Sequence, residues 1–221
     1  MNAAIWHLIW VNTCQTVEMV FFSTLFSVII GGPIGILLCT SSPEEQGGLN
    51  PKPMLNNITG RIVNALRSFP FLILMIVLFP LSRVIVGKTI GTVATIVPLS
   101  IAAAPFVARV IETALKEVDP GVIKAARAMG STNKQVVFKV LLPEAMPSLI
   151  SGITLTIINL IGYSAMAGVI GGGGLGDLAI RYGYQRWRPD VMAAAVIIIL
   201  VMVELIQFIG NKISNGLIEK R

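Results

Sequence analysis

The chain has 221 residues, of which 54% are hydrophobic and only 13% are Asp, Glu, Lys or Arg, against roughly 25% charged residues in a soluble globular domain. With a mean hydropathy of +0.81, that shortfall excludes an ordinary water-soluble protein and points to a chain whose solvent is partly lipid. The formal charge of +6 is spaced along the chain rather than gathered into a basic stripe, which excludes nucleic acid as an expected partner.

Met1 to Thr16 holds no Lys or Arg. The positive n-region of a cleavable signal is missing, so the first apolar stretch is expected to stay as a helix. A helix needs about 20 mostly apolar residues to cross the hydrocarbon. The first such span is expected from Thr16 to Cys39. A polar, turn-rich loop follows from Thr40 to Asn57, with Pro43, Gly47, Gly48, Pro51 and Pro53. The second span is expected from Ile62 to Leu81, with Pro70 inside it, and Arg83 to Lys88 makes a short break. The third runs from Thr89 to Val110 through Pro98 and Pro105, which a bundle tolerates where neighbours satisfy the freed carbonyls. Cys14 and Cys39 lie in or beside apolar stretches without metal-like spacing, so neither a disulfide framework nor a metal site is expected.

Residues 111–147 break the apolar pattern with Glu112, Lys116, Glu117, Asp119, Lys124, Arg127, Lys134, Lys139 and Glu144. That density does not belong in lipid. Asp119-Pro120 reads as a helix start, because Asp caps free N–H groups and Pro has no donor to lose at the first position. Val122, Ala126, Met129 and Asn133 then share a stripe, broadened by Ile123 and Ala125, until Gly130 breaks it. Ser131 is placed to cap a second helix that runs to Pro143. Two readings of this two-helix insert stand side by side: a face offered to a partner, or a loop packed on its own bundle.

The fourth span is expected from Ser148 to about Val169 and contains Asn159, Gly162, Tyr163, Ser164 and Met166. Polar and small residues within an apolar span face protein or water rather than lipid, which on sequence alone favours ordinary helix packing, with a solute path as the alternative. Gly171 to Gly174 ends the span or lets the chain turn back, and a polar loop reaches Asp190. The fifth span runs from Val191 to Ile209. Glu18 and Glu204 sit within spans, where a lone carboxylate is costly. Pairing across the bundle is expected for them, with Arg67 or Arg109 as candidate partners.

The fold class is therefore all-α, a polytopic bundle of five transmembrane helices with a two-helix insert. Residues 1–221 form a single transmembrane domain, and 111–147 the insert within it. Five spans place the termini on opposite sides. With the C-terminus inside, twelve basic residues fall on the cytoplasmic side (Lys52, Arg61, Arg67, Arg109, Lys116, Lys124, Arg127, Lys134, Lys139, Lys212, Lys220 and Arg221) against five outside (Arg83, Lys88, Arg181, Arg186 and Arg188). The positive-inside rule then sets the N-terminus outside and the C-terminus in the cytoplasm. Trp6, Trp10 and Trp187 suit interfacial positions on the outer side.

Lys124-Ala125-Ala126, then Gly130 four residues after Ala126, then Val140-Leu141-Leu142-Pro143 ending thirteen residues after Gly130, resembles the EAA loop of ABC importer permeases. Over roughly residues 10–218 the chain is similar to the permeases of methionine ABC importers. The strings that carry the likeness are Ala125 to Gly130, Lys139 to Ala145, Gly162 to Met166, Gly172 to Gly176 and Ile206-Gln207-Phe208.

The resemblance implies a five-span permease working as a homodimer in the bacterial inner membrane. It implies two cytoplasmic ATPase subunits, which hold ATP and Mg while this chain binds no cofactor. It also implies an extracytoplasmic substrate-binding protein, often a lipoprotein, that delivers L- or D-methionine. Carried over, Ala125, Ala126, Met129 and Gly130 dock on the ATPase with Arg127 at the rim. The fourth-span residues Asn159, Gly162, Tyr163, Ser164 and Met166 line the path, with Met166 at its constriction. Asp177, Arg181, Tyr182 and Tyr184 are available to the delivery protein. The motif's first Glu is Lys124 here, so any ion pair made by that Glu is lost or reversed.

Other classes fit less well. No nucleotide loop ending in Lys-Ser/Thr and no HExxH occurs, and His7 is the only histidine, so no catalytic residue is expected. A permease for another amino acid or small solute is the neighbouring reading. A stand-alone secondary transporter would leave the insert without a purpose.

Overall fold

The computed structural model describes residues 3–43 and 48–219. Gly47 of the first loop, and Lys220 and Arg221 of the charge tally, lie outside the described residues. Helix α1 is Ala3–Ser41, α2 Pro53–Ser68, α3 Phe71–Val86 and α4 Thr92–Lys116. The insert follows as α5, Pro120–Ala128, and α6, Asn133–Val136, which passes through a π-helical turn, Val137–Leu141, into α7, Leu142–Glu144. Then come α8, Met146–Val169, the short α9, Gly174–Leu178, a second π-helical turn, Ala179–Tyr184, and α10, Pro189–Ile218.

Helices α1, α4, α8 and α10 are each long and apolar enough to cross a membrane. The expected second span is not one rod. Helices α2 and α3 meet at a 104° bend and make a fifth span only when taken together. The cause is local: Pro70 pushes Phe69 out of helical geometry and has no N–H to continue the ladder. Pro70 instead stands before α3 and accepts from Leu74 N through its carbonyl (3.0 Å). Pro98 and Pro105 leave α4 continuous, and α4 runs on to Lys116, so Glu112 and Lys116 ride on the end of a span. Helix α1 begins thirteen residues before the expected Thr16 and counts 39 residues, a rise of roughly 58 Å against about 30 Å of hydrocarbon.

The described chain falls into two compact units, each assembled from separated segments. One comprises residues 1–27, 69–103 and 156–208. Met19, Val20, Leu99, Leu160 and Ile161 fill one of its cores, and Ile9, Leu175, Leu178, Val191 and Ala195 another. Its glycine turn is tied to α1. Gly171, Gly173 and Gly174 take positive φ, the backbone region that glycine enters without steric cost. Gly174 N then donates to Gln15 Oε1 (3.0 Å) and Leu175 N to Thr16 Oγ1 (2.8 Å), which satisfies the start of α9.

The other unit comprises residues 28–68, 104–155 and 209–221. Its core gathers Val107, Ile111, Leu115, Ala126, Val136, Leu141 and Leu149. Helices α1 and α4 touch through small residues. A Cβ on Gly31 would press on Ala104 and Val107, and one on Gly35 on Ala108 and Ile111. Gly31 and Gly35 opposite Ala104 and Ala108 is the small-xxx-small pattern that lets membrane helices approach closely.

Candidate functional site

The insert builds its faces from caps. Asp119 Oδ1 accepts from Gly121 N (2.6 Å) with Pro120 in the first turn, as the sequence pattern requires. At the other end, Ser131 N donates to Ala126 O (3.1 Å) and Gly130 N to Arg127 O (2.9 Å), the paired bonds of a Schellman cap. Gly130 has φ of 81°, so the left-handed cap is itself a reason for glycine there. The second cap is Thr132, not Ser131: Thr132 and Gln135 form a reciprocal capping box, and a Gln three residues on favours Thr132. Pro143 does not stop the helix. The π-helical turn before it, with Leu142 N bonded to Val137 O, gives the ladder the slack that a proline needs.

The expected stripe on α5 splits. Ala126 is buried in the core with Ile123 packed beside it, because those two stand one turn apart on the inward side. Val122 is exposed, and Met129 is 80% exposed at the tip. Ala125, Arg127 and Gly130 are exposed too, and Arg127 Nη2 donates back to Leu49 O (3.1 Å). Ala126 therefore serves its own core, while Ala125, Arg127, Met129 and Gly130 form an outward tip with Lys124.

On α8, Ser148, Gly152, Leu155, Asn159, Gly162, Met166 and Val169 recur at alternating spacings of four and three, the period of a single helix seam. Leu155, Gly162, Met166 and Val169 are exposed, and a Cβ on Gly162 would meet nothing within 4 Å. Met166 is 48% exposed. Of the expected path residues, Asn159, Gly162 and Met166 share this stripe. Tyr163 leans off it and stacks on Phe71, with centroids 4.3 Å apart and planes within 10°. Ser164 is buried and donates to Ile161 O (2.7 Å), so its hydroxyl is spent within its own helix.

Beyond α9, Arg181 Nη2 pairs with Asp177 Oδ2 (2.6 Å). Arg181 and Arg186 both lie over the Tyr182 ring, 5.4 and 4.5 Å from its centroid. Tyr184 and Trp187 are exposed, and Trp187 holds a positive φ of 51°. The structure thus joins Asp177, Arg181 and Tyr182 into one cluster and adds Arg186 to it.

The expected partners of Glu18 and Glu204 are engaged elsewhere. Both carboxylates stand on exposed helix faces. Arg109 pairs with Glu112 (2.6 Å), which also takes Lys116 (2.8 Å). Arg109 Nη2 reaches α2 at Gly60 O (3.0 Å) and Asn64 Oδ1 (2.9 Å). Arg67 lies over the Phe106 ring, 5.7 Å from the centroid. Glu112 is the buried carboxylate of this group, and its i−3 and i+4 basic neighbours were the sequence signal for it.

Residues 31–217 match the family described as binding-protein-dependent transport system inner membrane component. The chain is 48% identical over 199 residues to the probable D-methionine transport system permease protein MetI of Vibrio cholerae, covering 90% of this chain and 87% of that one. It is 47% identical over 215 residues to the protein of the same description from Pasteurella multocida, covering 97% and 98%. Among solved structures it resembles a chain of the MetNI methionine ABC transporter in an inward-facing conformation. There the TM-score is 0.95 at 43% identity, over 98% of this chain and 99% of that one.

Proposed function

The chain belongs to the family of binding-protein-dependent transport system inner membrane components, as the non-catalytic permease subunit of an ABC importer, and from that premise we propose its cargo and its partners. The cargo is methionine, in L and D forms, as the names of the similar proteins suggest. Two copies face each other across the path, two cytoplasmic ATPase subunits supply the energy, and an extracytoplasmic binding protein delivers the solute.

The observation that carries this reading is the α8 stripe. An apolar helix interrupted at heptad spacing by Asn159 and Gly162 and left open by its own chain has the form of a seam lining a path, with a second copy opposite. Met166 on that seam is the closure: an unbranched apolar side chain fills a gap and moves aside, and an apolar constriction stops ions by dewetting without binding the solute. Asn159 and Gly162 line the same path, with Tyr163 at its edge.

The exposed tip of α5, made of Ala125, Arg127, Met129 and Gly130, is the handle for the ATPase. The Asp177, Arg181, Tyr182 and Tyr184 region is the contact for the delivery protein. This assigns residues 1–221 to one permease domain with 111–147 as its coupling insert. It places the N-terminus outside and the C-terminus in the cytoplasm, in line with the excess of basic residues on the inner segments.

Reconstitution of the chain with its ATPase and delivery protein tests the reading. Uptake of labelled L- and D-methionine is expected to require ATP and the delivery protein. Uptake without ATP would instead favour a stand-alone transporter, and uptake of other amino acids alone a different cargo. Met166→Ala is expected to raise passive leak of small solutes and to loosen ATP turnover from transport. An unaltered leak in proteoliposomes removes Met166 from the closure.

A further inference from the structure

Within the second unit, a cavity of about 380 Å³ is lined by Arg67, Phe106, Arg109, Val110, Glu117 and Leu155 among others. Its size falls in the roughly 300–1,000 Å³ range of small-molecule sites. Ser148, Gly152 and Leu155 line this cavity and stand on the α8 stripe by their spacing.

The charges in it are not balanced where they stand. Arg109 spends Nη1 on Glu112 and Nη2 on Gly60 O and Asn64 Oδ1. Its Nε is buried and has no partner among the described residues. Glu112 is shared between Arg109 and Lys116, so that trio keeps a net positive charge. Arg67 joins none of the ion pairs among the described residues and rests on an aromatic ring. Arg67, outside these ion pairs, and the net positive Arg109 group line one cavity, and that charge matches a carboxylate, the planar anion that arginine recognises best.

Beside the arginines, Val110, Gly152 and Leu155 offer an apolar wall for an unbranched side chain. Glu117 already accepts from the Ser148 hydroxyl (2.6 Å). It stands two turns further along α4 than Arg109, a rise of about 12 Å. That separation of backbone positions sets Glu117 apart from Arg109 along the helix.

We propose that this cavity is a carboxylate-anchored holding site for an amino acid in transit, with Arg67 and Arg109 taking the carboxylate and the α4–α8 wall the apolar side chain. The α-ammonium has no dedicated partner in it. The proposal rests on the reading of the chain as an amino-acid permease.

The test uses the full transporter with its ATPase, purified without nucleotide. The permease carries Leu155→Cys in a background of Cys14→Ser and Cys39→Ala. Methionine at about ten times its dissociation constant is expected to slow labelling of the new thiol by about tenfold, the factor set by occupancy of the site. N-acetylmethionine, which keeps the carboxylate, protects as well; methioninol, which lacks it, does not. Arg67→Gln abolishes the protection and Arg67→Lys retains part of it. An anionic methanethiosulfonate is expected to label faster than a cationic one, and Arg67→Gln to level the two.

Absence of protection in a preparation that takes up methionine overturns the site and leaves the cargo assignment intact. Equal protection by methioninol overturns the carboxylate anchor. If no amino acid is taken up, the cargo assignment fails. The anionic-to-cationic labelling ratio then decides the site by itself, and a ratio at or below unity overturns it.

Discussion

Helices α4 and α10 both satisfy the membrane's demand for a long apolar segment, yet the more apolar of the two is the less buried. The most apolar window of α10 has a hydropathy of 2.7 and is 6% buried, while that of α4 has 1.8 and is 67% buried. In water the order would be the reverse. In hydrocarbon, lipid tails are as apolar as leucine, so helices are drawn together by close packing and polar contacts rather than by hydrophobicity. Helix α4 carries Ala94, Ala103, Ala104, Ala108 and Ala114, all buried, and small residues admit α1 at Gly31 and Gly35. Helix α10 exposes Ile197, Leu200, Val201, Leu205 and Phe208. Near its start α10 packs through Val191 and Ala195, and towards its end the contacts are small or polar. Gly210 lies against Thr154, and Ser214 bonds to Ser151 (3.0 Å) and Pro147 O (3.0 Å).

That contrast can be broken most sharply at Glu112. Replacing it with Leu leaves Arg109 and Lys116 without their shared carboxylate. Losing one partner of a buried pair costs about 3–5 kcal/mol. Because Arg109 and Lys116 remain 25% and 29% exposed, the lower end is expected, read as a fall in thermal midpoint of the detergent-solubilised protein. A variant as stable as the parent would show that α4 is held by packing alone.

Leu99→Ala, at a fully buried site of α4, comes next. Such truncations in water cost roughly 2.7–5 kcal/mol, but in a membrane the transfer part largely vanishes and the lost dispersion contacts remain. About 2 kcal/mol is the expected loss in the same thermal measurement.

Helix α4 leads straight into the insert, and the exposed tip of α5 should affect assembly without affecting the fold. Met129 has φ of −79°, so Met129→Asp adds charge without the backbone strain that any substitution of Gly130 carries. Copurification with the ATPase is expected to fall by tenfold or more, about 1.4 kcal/mol, at an unchanged thermal midpoint. The smallest effect is assigned to Leu200→Ala on the exposed side of α10: less than about 0.5 kcal/mol, the scale of changes away from packed sites. A loss as large as that of Leu99→Ala would mean that a partner covers this face of α10.

Much of the architecture was legible because its signals are local. The charges of residues 111–147 marked the insert, and Asp119-Pro120 its first cap. Thr132 with Gln135 carries the fuller signal of a cap, because the Gln reaches back where Ser131 has no such partner three residues on. The bend at Pro70 was harder to read, since Pro98 and Pro105 in α4 have the same chemistry and leave the helix whole. The difference lies in what surrounds each proline. For the site, the sequence marked Asn159, Gly162, Tyr163, Ser164 and Met166 together, but it could not tell that Ser164 spends its hydroxyl on Ile161 O.

Sequence alone determined the class of protein, the approximate limits of its apolar segments and the position of the charged insert. Backbone groups in hydrocarbon must be satisfied within each segment, so the segments announce themselves by length and composition. Only the tertiary structure decided which helix became the hub, which carboxylate was buried among cations, and which seam of α8 was left open. Those outcomes depend on which small and polar residues meet across the bundle, and hydropathy carries no record of such meetings when the solvent is itself apolar.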